Sequence, residues 1–186
     1  MIVAKSKIGQ SLLEVVFSIA ILLMVVMAVL ALTIGNISGQ KESESQVIAN
    51  NLAREAIEVI RNIRDSNWLA GRNWDEGLAA GSQAIVAFDR QANTWSLQFD
   101  TSNWDLYISP QGSYSHEVLA DSQLTSFRRV VYFSDICLSA GGQEEIRDDC
   151  GGGQTKIGAK LTAEVSWNDR GKNRRIKIED LLYAWK

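Results

Sequence analysis

Proline, histidine and cysteine are scarce: Pro110 and His116 are single, and Cys137 and Cys150 are the only thiols in 186 residues. A lone histidine with no second histidine or cysteine at ligand spacing excludes the usual zinc sets, and His116 reads as a surface or loop residue. Serines are plentiful, but no Gly-x-Ser-x-Gly and no phosphate-cradling glycine loop occurs. Gly151-Gly152-Gly153 lacks the lysine and helix start of a nucleotide site and reads as flexible loop. The chain therefore reads as a non-enzyme without a cofactor. Its net charge of −3 gives no bulk attraction to nucleic acid or anionic lipid.

What the chain has is one long apolar run. Val15 to Ile34 is uncharged, with only Ser18 and Thr33 as hydroxyls, and a helix of that length spans roughly 30 Å of hydrocarbon. An ordinary secretory signal would have a shorter apolar core and a small-residue cleavage site, and Leu32-Thr33-Ile34-Gly35 offers none. The run reads as a membrane helix. Lys5 and Lys7 precede it, so the basic flank stays cytoplasmic and the C-terminal part is exported. Glu14 at the membrane edge is the costly residue, because an ionisable group there needs a partner. Scission after Gly9 would supply one, as an ammonium at Gln10. On its own, Glu14 could equally favour the positive end of the helix dipole or reach the headgroups. Gly35 and Gly39 each cost about 1 kcal/mol against alanine and mark a place for a bend or local melting.

Beyond the polar residues 36 to 46, Ala49, Leu52, Ala53, Ala56, Ile57, Ile60 and Ile63 recur at helical spacing as one core-facing stripe. Arg54, Glu58 and Arg61 can pair on the opposite side. Residues 65 to 83 read as a loop pinned by Trp68, Leu69 and Trp74. Short alternating runs at Ala84 to Asp89, Thr94 to Asp100 and Trp104 to Ser109 read as antiparallel strands, and residues 110 to 125 as irregular or edge strand. Phe127 to Phe133 is a strand. Ile157 to Trp167 and the run through Ile176, Ile178 and Leu182 form a hairpin about Asn168-Asp169-Arg170-Gly171.

Cys137 and Cys150 lie in the exported part, where disulfides persist, and their pairing would stabilise by roughly 3 kcal/mol in the loop-entropy model. Two independent thiols are the alternative. Glu144, Glu145, Asp148 and Asp149 read as a solvated acidic loop, with calcium as the weaker alternative because their spacing fits no loop signature. Arg170, Lys172, Arg174, Arg175 and Lys177 read as a charged hairpin tip; contact with DNA phosphates is the unsupported alternative. The six tryptophans read as core packing by default.

Gly9, then Leu12-Leu13-Glu14 and the apolar run, resembles the class III signal of type IV prepilins and type II secretion pseudopilins. Ala53 to Trp68 is similar to the stretch just after the membrane segment in many minor pilins. Phe127-Arg128-Arg129-Val130, Val165-x-Trp167, Gly171, Ile176-x-Ile178 and Leu182-x-x-Trp185 resemble their C-terminal sheet. The departures are Gln10, where phenylalanine is usual, and the absence of a helix proline.

The resemblance implies an α+β type IV pilin fold, a long N-terminal helix on a C-terminal antiparallel sheet. It implies a leader 1–9 removed by a membrane prepilin peptidase that also methylates the new amine at Gln10. The helix would cover 10–64 with its transmembrane part at about 12–34. Variable loop and short strands would cover 65–126, and the C-terminal sheet 127–186. Glu14 would pair with the amino terminus of a neighbouring subunit. Its partners would be other pilin subunits, the assembly machinery and, before assembly, membrane lipid. The precursor would cross the inner membrane once, with its C-terminal domain outside the cytoplasm, and then join a periplasmic or cell-surface filament as a structural, minor subunit. The alternative is a membrane-anchored extracellular binding protein for DNA, sugar or protein that does not polymerise.

Overall fold

The structure, a computed structural model, describes residues 8–78, 82–89, 92–99, 101–119 and 121–184, with helix side chains from residue 12 onward. Lys5, Lys7, Gly81, Asp100 and Trp185 lie outside the described residues, and of Gly9 and Gln10 only the backbone is described. The chain falls into two compact units, residues 1–45 and 46–186, and the helix α1 (Ile8–Leu69) contributes to both.

In the unit 1–45 the described part is helix alone. Hydrogen-bonded helix passes through Gly35 and Gly39, so of the expected bend or local melting the helix shows no melting there. Two glycines cost about 2 kcal/mol together, and good helix formers on either side propagate the helix across them.

The unit 46–186 is built around β5 (Gln123–Leu138). Along one edge of β5 runs β7 (Thr155–Asp169), with β8 (Lys172–Tyr183) outside it. The other edge is shared in succession by β3 (Asp105–Ile108), β1 (Gln83–Asp89) and β6 (Glu144–Arg147). Outside β1 lies β2 (Thr94–Phe99), and outside β3 lies β4 (Tyr114–Ser115). Every pairing is antiparallel, so the fold is α+β, a helix on an antiparallel sheet. The tight β7–β8 turn has positive φ at both Arg170 and Gly171, the backbone that suits the twist of a two-residue hairpin.

The core follows the two periodicities. Ala49, Leu52, Ala53, Ala56, Ile57 and Ile60 are buried, joined by Val59, and Ile63 is half-buried. They pack with Val131 and Phe133 of β5 and with Leu161, Ala163, Val165 and Trp167 of β7. Three of the helix positions are alanines with no exposed surface, which lets the backbone approach the sheet closely. Burying each larger aliphatic side chain stabilises by about 1.5–3 kcal/mol.

Several sequence expectations need correcting. The helix runs to Leu69, five residues past the boundary read at 64. No breaker precedes Gly71, whose φ of 68° ends it: Gly71 N–H donates to the Trp68 carbonyl and Arg72 N–H to that of Asn67. Asn67 is buried and its amide donates to the carbonyls of Trp74 and Glu76, so this side chain, with buried Leu78, ties down the following loop. Leu69 does not pin it, being 92% exposed. The strand begun at Phe127 extends to both sides, because alternation continues through Ile136. Part of the acidic insert is strand β6 rather than loop. Core packing describes Trp167, whereas Trp68 and Trp95 are only partly covered, at 42% and 37% exposed, and Trp74 lies under the Lys156 ammonium, 5.6 Å from its ring centroid.

Candidate functional site

Two groups of residues stand out, one in each unit. The first is the surface of α1 from Leu12 to Ile34, where every described side chain except Ala20 is exposed. Leu23 is 60% exposed and Phe17 61%. This stretch is apolar and long enough to cross a membrane, and none of its most apolar window is buried within the molecule. Its two hydroxyls are satisfied inside the helix: Ser18 Oγ donates to the Glu14 carbonyl at 2.8 Å and Thr33 Oγ1 to that of Val29 at 2.9 Å. That removes the penalty of carrying a hydroxyl into hydrocarbon. Glu14 is exposed on the same helix. Gln10 precedes it by one helical turn, so an amine at that backbone would sit on the Glu14 face.

The second group is buried. Arg129 faces the core from the middle of β5 and is 1% exposed. Its Nη1 lies 3.3 Å from Glu55 Oε2 and donates to the Leu52 carbonyl at 3.2 Å, while Nη2 reaches the Val86 carbonyl at 3.5 Å. Helix, central strand and β1 therefore meet on one guanidinium, with Nε left unpartnered. Burial pushes its pKa down, and the Glu55 carboxylate pulls the other way.

His116 lies in irregular chain after β4, as the loop reading has it, but it is buried, which overturns the surface reading. The segment after β4 folds back so that Nδ1 lies 3.1 Å from the Asp105 carbonyl, which orients Nδ1–H toward that oxygen and leaves Nε2 buried without a partner. Burial, reinforced by the Arg129 charge, lowers its pKa to about 4, so the ring is neutral at pH 7. It lines a cleft of about 620 Å³ with Asp89, Ser96, Gln98 and Glu117. A single-histidine count gave no hint of this burial. For Arg129, strand alternation gave one: Arg128 and Arg129 are consecutive, so one of them had to face inward.

The remaining candidates are dispersed. Cys137 and Cys150 form a disulfide with Cα atoms 5.5 Å apart. Glu144 and Glu145 are consecutive on β6 and so face opposite ways; Glu144 accepts from the Tyr183 hydroxyl and Glu145 pairs with Arg147 at 2.5 Å. Among the described residues no three carboxylate, histidine or cysteine groups, Asp148 and Asp149 included, gather for a metal. In the basic run Lys177 is bridged to Glu164 at 2.9 Å. No protein family, curated protein or solved structure matches the chain.

Proposed function

We propose that the chain is a structural subunit, a minor one, of a filament of the type IV pilus or type II secretion pseudopilus kind. The observation that carries this reading is the uncovered apolar surface of Leu12 to Ile34 with Glu14 one turn beyond the Gly9–Gln10 bond. In the bilayer that surface meets lipid, and in a fibre it meets the same surface of neighbours, exchanging lipid contacts for helix packing. Scission after Gly9 supplies a cation. Within one chain the new amine lies one turn from Glu14, and in the fibre the same carboxylate pairs with the amine of the next subunit and fixes axial register. The fold suits the reading through a helix whose 46–69 half is held by an antiparallel sheet, with a disulfide bracing the insert.

The test is mass spectrometry of the natural amino terminus in cells that own a prepilin peptidase. A mature chain beginning at Gln10 supports the reading, and its mass also reports methylation. Chains that keep the first nine residues overturn it and favour a membrane-anchored binding protein. Glu14→Ala should be trimmed normally yet be depleted from sheared filaments, and wild-type incorporation of that variant removes the pairing role.

A further inference from the structure

The outer edge of β8 is the longest unpaired strand edge among the described residues, since β8 pairs with β7 alone. Such an edge is a template for another strand, and proteins commonly guard it with charged side chains, lysine above all. Here the charge is not of one sign. From residue 174 the strand reads Arg-Arg-Ile-Lys-Ile-Glu-Asp, basic in its first half and acidic in its second, with Lys177 at the centre.

We propose that β8 pairs antiparallel with β8 of a second copy of this chain about a two-fold axis through Lys177. In that register Arg175 lies opposite Glu179, Arg174 opposite Asp180, and Ile176 opposite Ile178, each twice by symmetry. An antiparallel copy therefore meets every charged residue beside the axis with its opposite, and adds to the partners that Glu179 and Asp180 already have within the chain, Lys160 at 3.0 Å and Arg61 at 2.7 Å.

The backbone permits this register. The two-residue turn makes Asp169 and Lys172 a hydrogen-bonded pair, and bonding then alternates along β7–β8. Arg175, Lys177 and Glu179 belong to the other set, so their N–H and C=O groups point away from β7 to the free edge. The two-fold at Lys177 sets these residues against one another, as a ladder requires, and a shift by one residue would not. The like-charge contact on the axis is relieved within each copy, because Lys177 already bridges Glu164, whose side chain is 18% exposed. On the inner side, half-buried Ile176 and Ile178 gain a cross-strand apolar neighbour. The proposal concerns the unit 46–186 and does not rest on the filament reading.

The test uses the full chain in detergent micelles. Lys177→Cys treated with a short bis-maleimide should run at twice the monomer mass, while Ser96→Cys on β2, the far edge of the sheet, should not. Arg175→Glu and Glu179→Lys, both on the exposed face, should each weaken self-association about tenfold, from two like-charge contacts per dimer. Co-expressed, the two variants should restore a heterodimer, because Glu at 175 of one copy then meets Lys at 179 of the other. A Lys177→Cys chain that cross-links no better than Ser96→Cys overturns the proposal. So does pairing that ignores both charge reversals, or a mixture that stays monomeric while each variant keeps the unfolding midpoint of the wild type.

Discussion

Residues 12–34 and 46–69 belong to one helix, yet they solve opposite problems. Both carry aliphatic side chains, and in the second stretch these are covered by β5 and β7, whereas in the first they are bare. The sequence distinguishes them by period: 46–69 has apolar residues on one stripe and charges on the other, while 15–34 is apolar all round. A stripe needs one partner surface. An all-round apolar cylinder needs an apolar medium, which no sheet of this size supplies.

The comparison breaks most visibly at Arg129, the buried charge that joins the covered half of the helix to the sheet. Arg129→Ala strips the Leu52 and Val86 carbonyls and Glu55 of their shared donor and should cost about 3–5 kcal/mol. Arg129→Met, which fills the space without a charge, should recover most of that loss. Denaturant unfolding followed by tryptophan fluorescence reads this directly, since all six tryptophans lie between residues 68 and 185. An unchanged midpoint for Arg129→Ala would mean that the guanidinium does not hold the three elements together.

The same chemical change can be made in each half. Leu52→Ala, at a position 4% exposed, should destabilise the unit 46–186 by about 3 kcal/mol. Leu23→Ala, at one 60% exposed, should leave that fluorescence transition within about 0.5 kcal/mol of wild type. Equal effects at the two sites would show that exposure along the helix does not set the cost of truncation.

How far these differences were legible depended on whether the signal was periodic. Stripe, strands and hairpin were readable, because Leu52 to Ile60 and Leu161 to Trp167 repeat at 3.6 and 2 residues. The helix end at Leu69 was missed because Asn-Trp after Asp-Ser resembles loop, while the stopping signal was Gly71 and its left-handed backbone. The burial of His116 was missed for a different reason. Its burial depends on the aperiodic segment after β4 turning back to the Asp105 carbonyl, a contact that no local pattern announces. The apolar run was the most readable part of the candidate site, since a surface that is apolar all round follows from residue type alone.

A pH titration reads the folded unit 46–186 through His116. His116 is neutral and buried in the fold, with its pKa lowered from 6.5 to about 4. Between those values the unfolded chain binds more protons, so stability falls as pH drops from about 6.5 to about 4 and then levels off. The loss should reach about 3 kcal/mol in the unit 46–186. His116→Gln should remove this segment of the pH profile, and a variant retaining the full slope would assign it to carboxylates instead.

The gentlest contrast uses glycine. A Cβ at Gly158 would lie 2.6 Å from the Leu182 carbonyl oxygen and 3.2 Å from the Tyr183 Cα, both of them backbone atoms of β8. Gly158→Ala must therefore separate β7 from β8 and should cost about 2 kcal/mol. At Gly39 a Cβ meets nothing within 4 Å and the backbone is helical, so Gly39→Ala should stabilise the local helix by about 1 kcal/mol. Amide exchange in micelles separates the two: faster exchange along β7 and β8 for the first variant, slower exchange around residues 35–43 for the second. On the filament reading proposed above, slower exchange there with filament yield unchanged would mean that assembly does not require this stretch to open. On the same reading, slower exchange with lost filaments would make Gly39 a point that has to open during assembly.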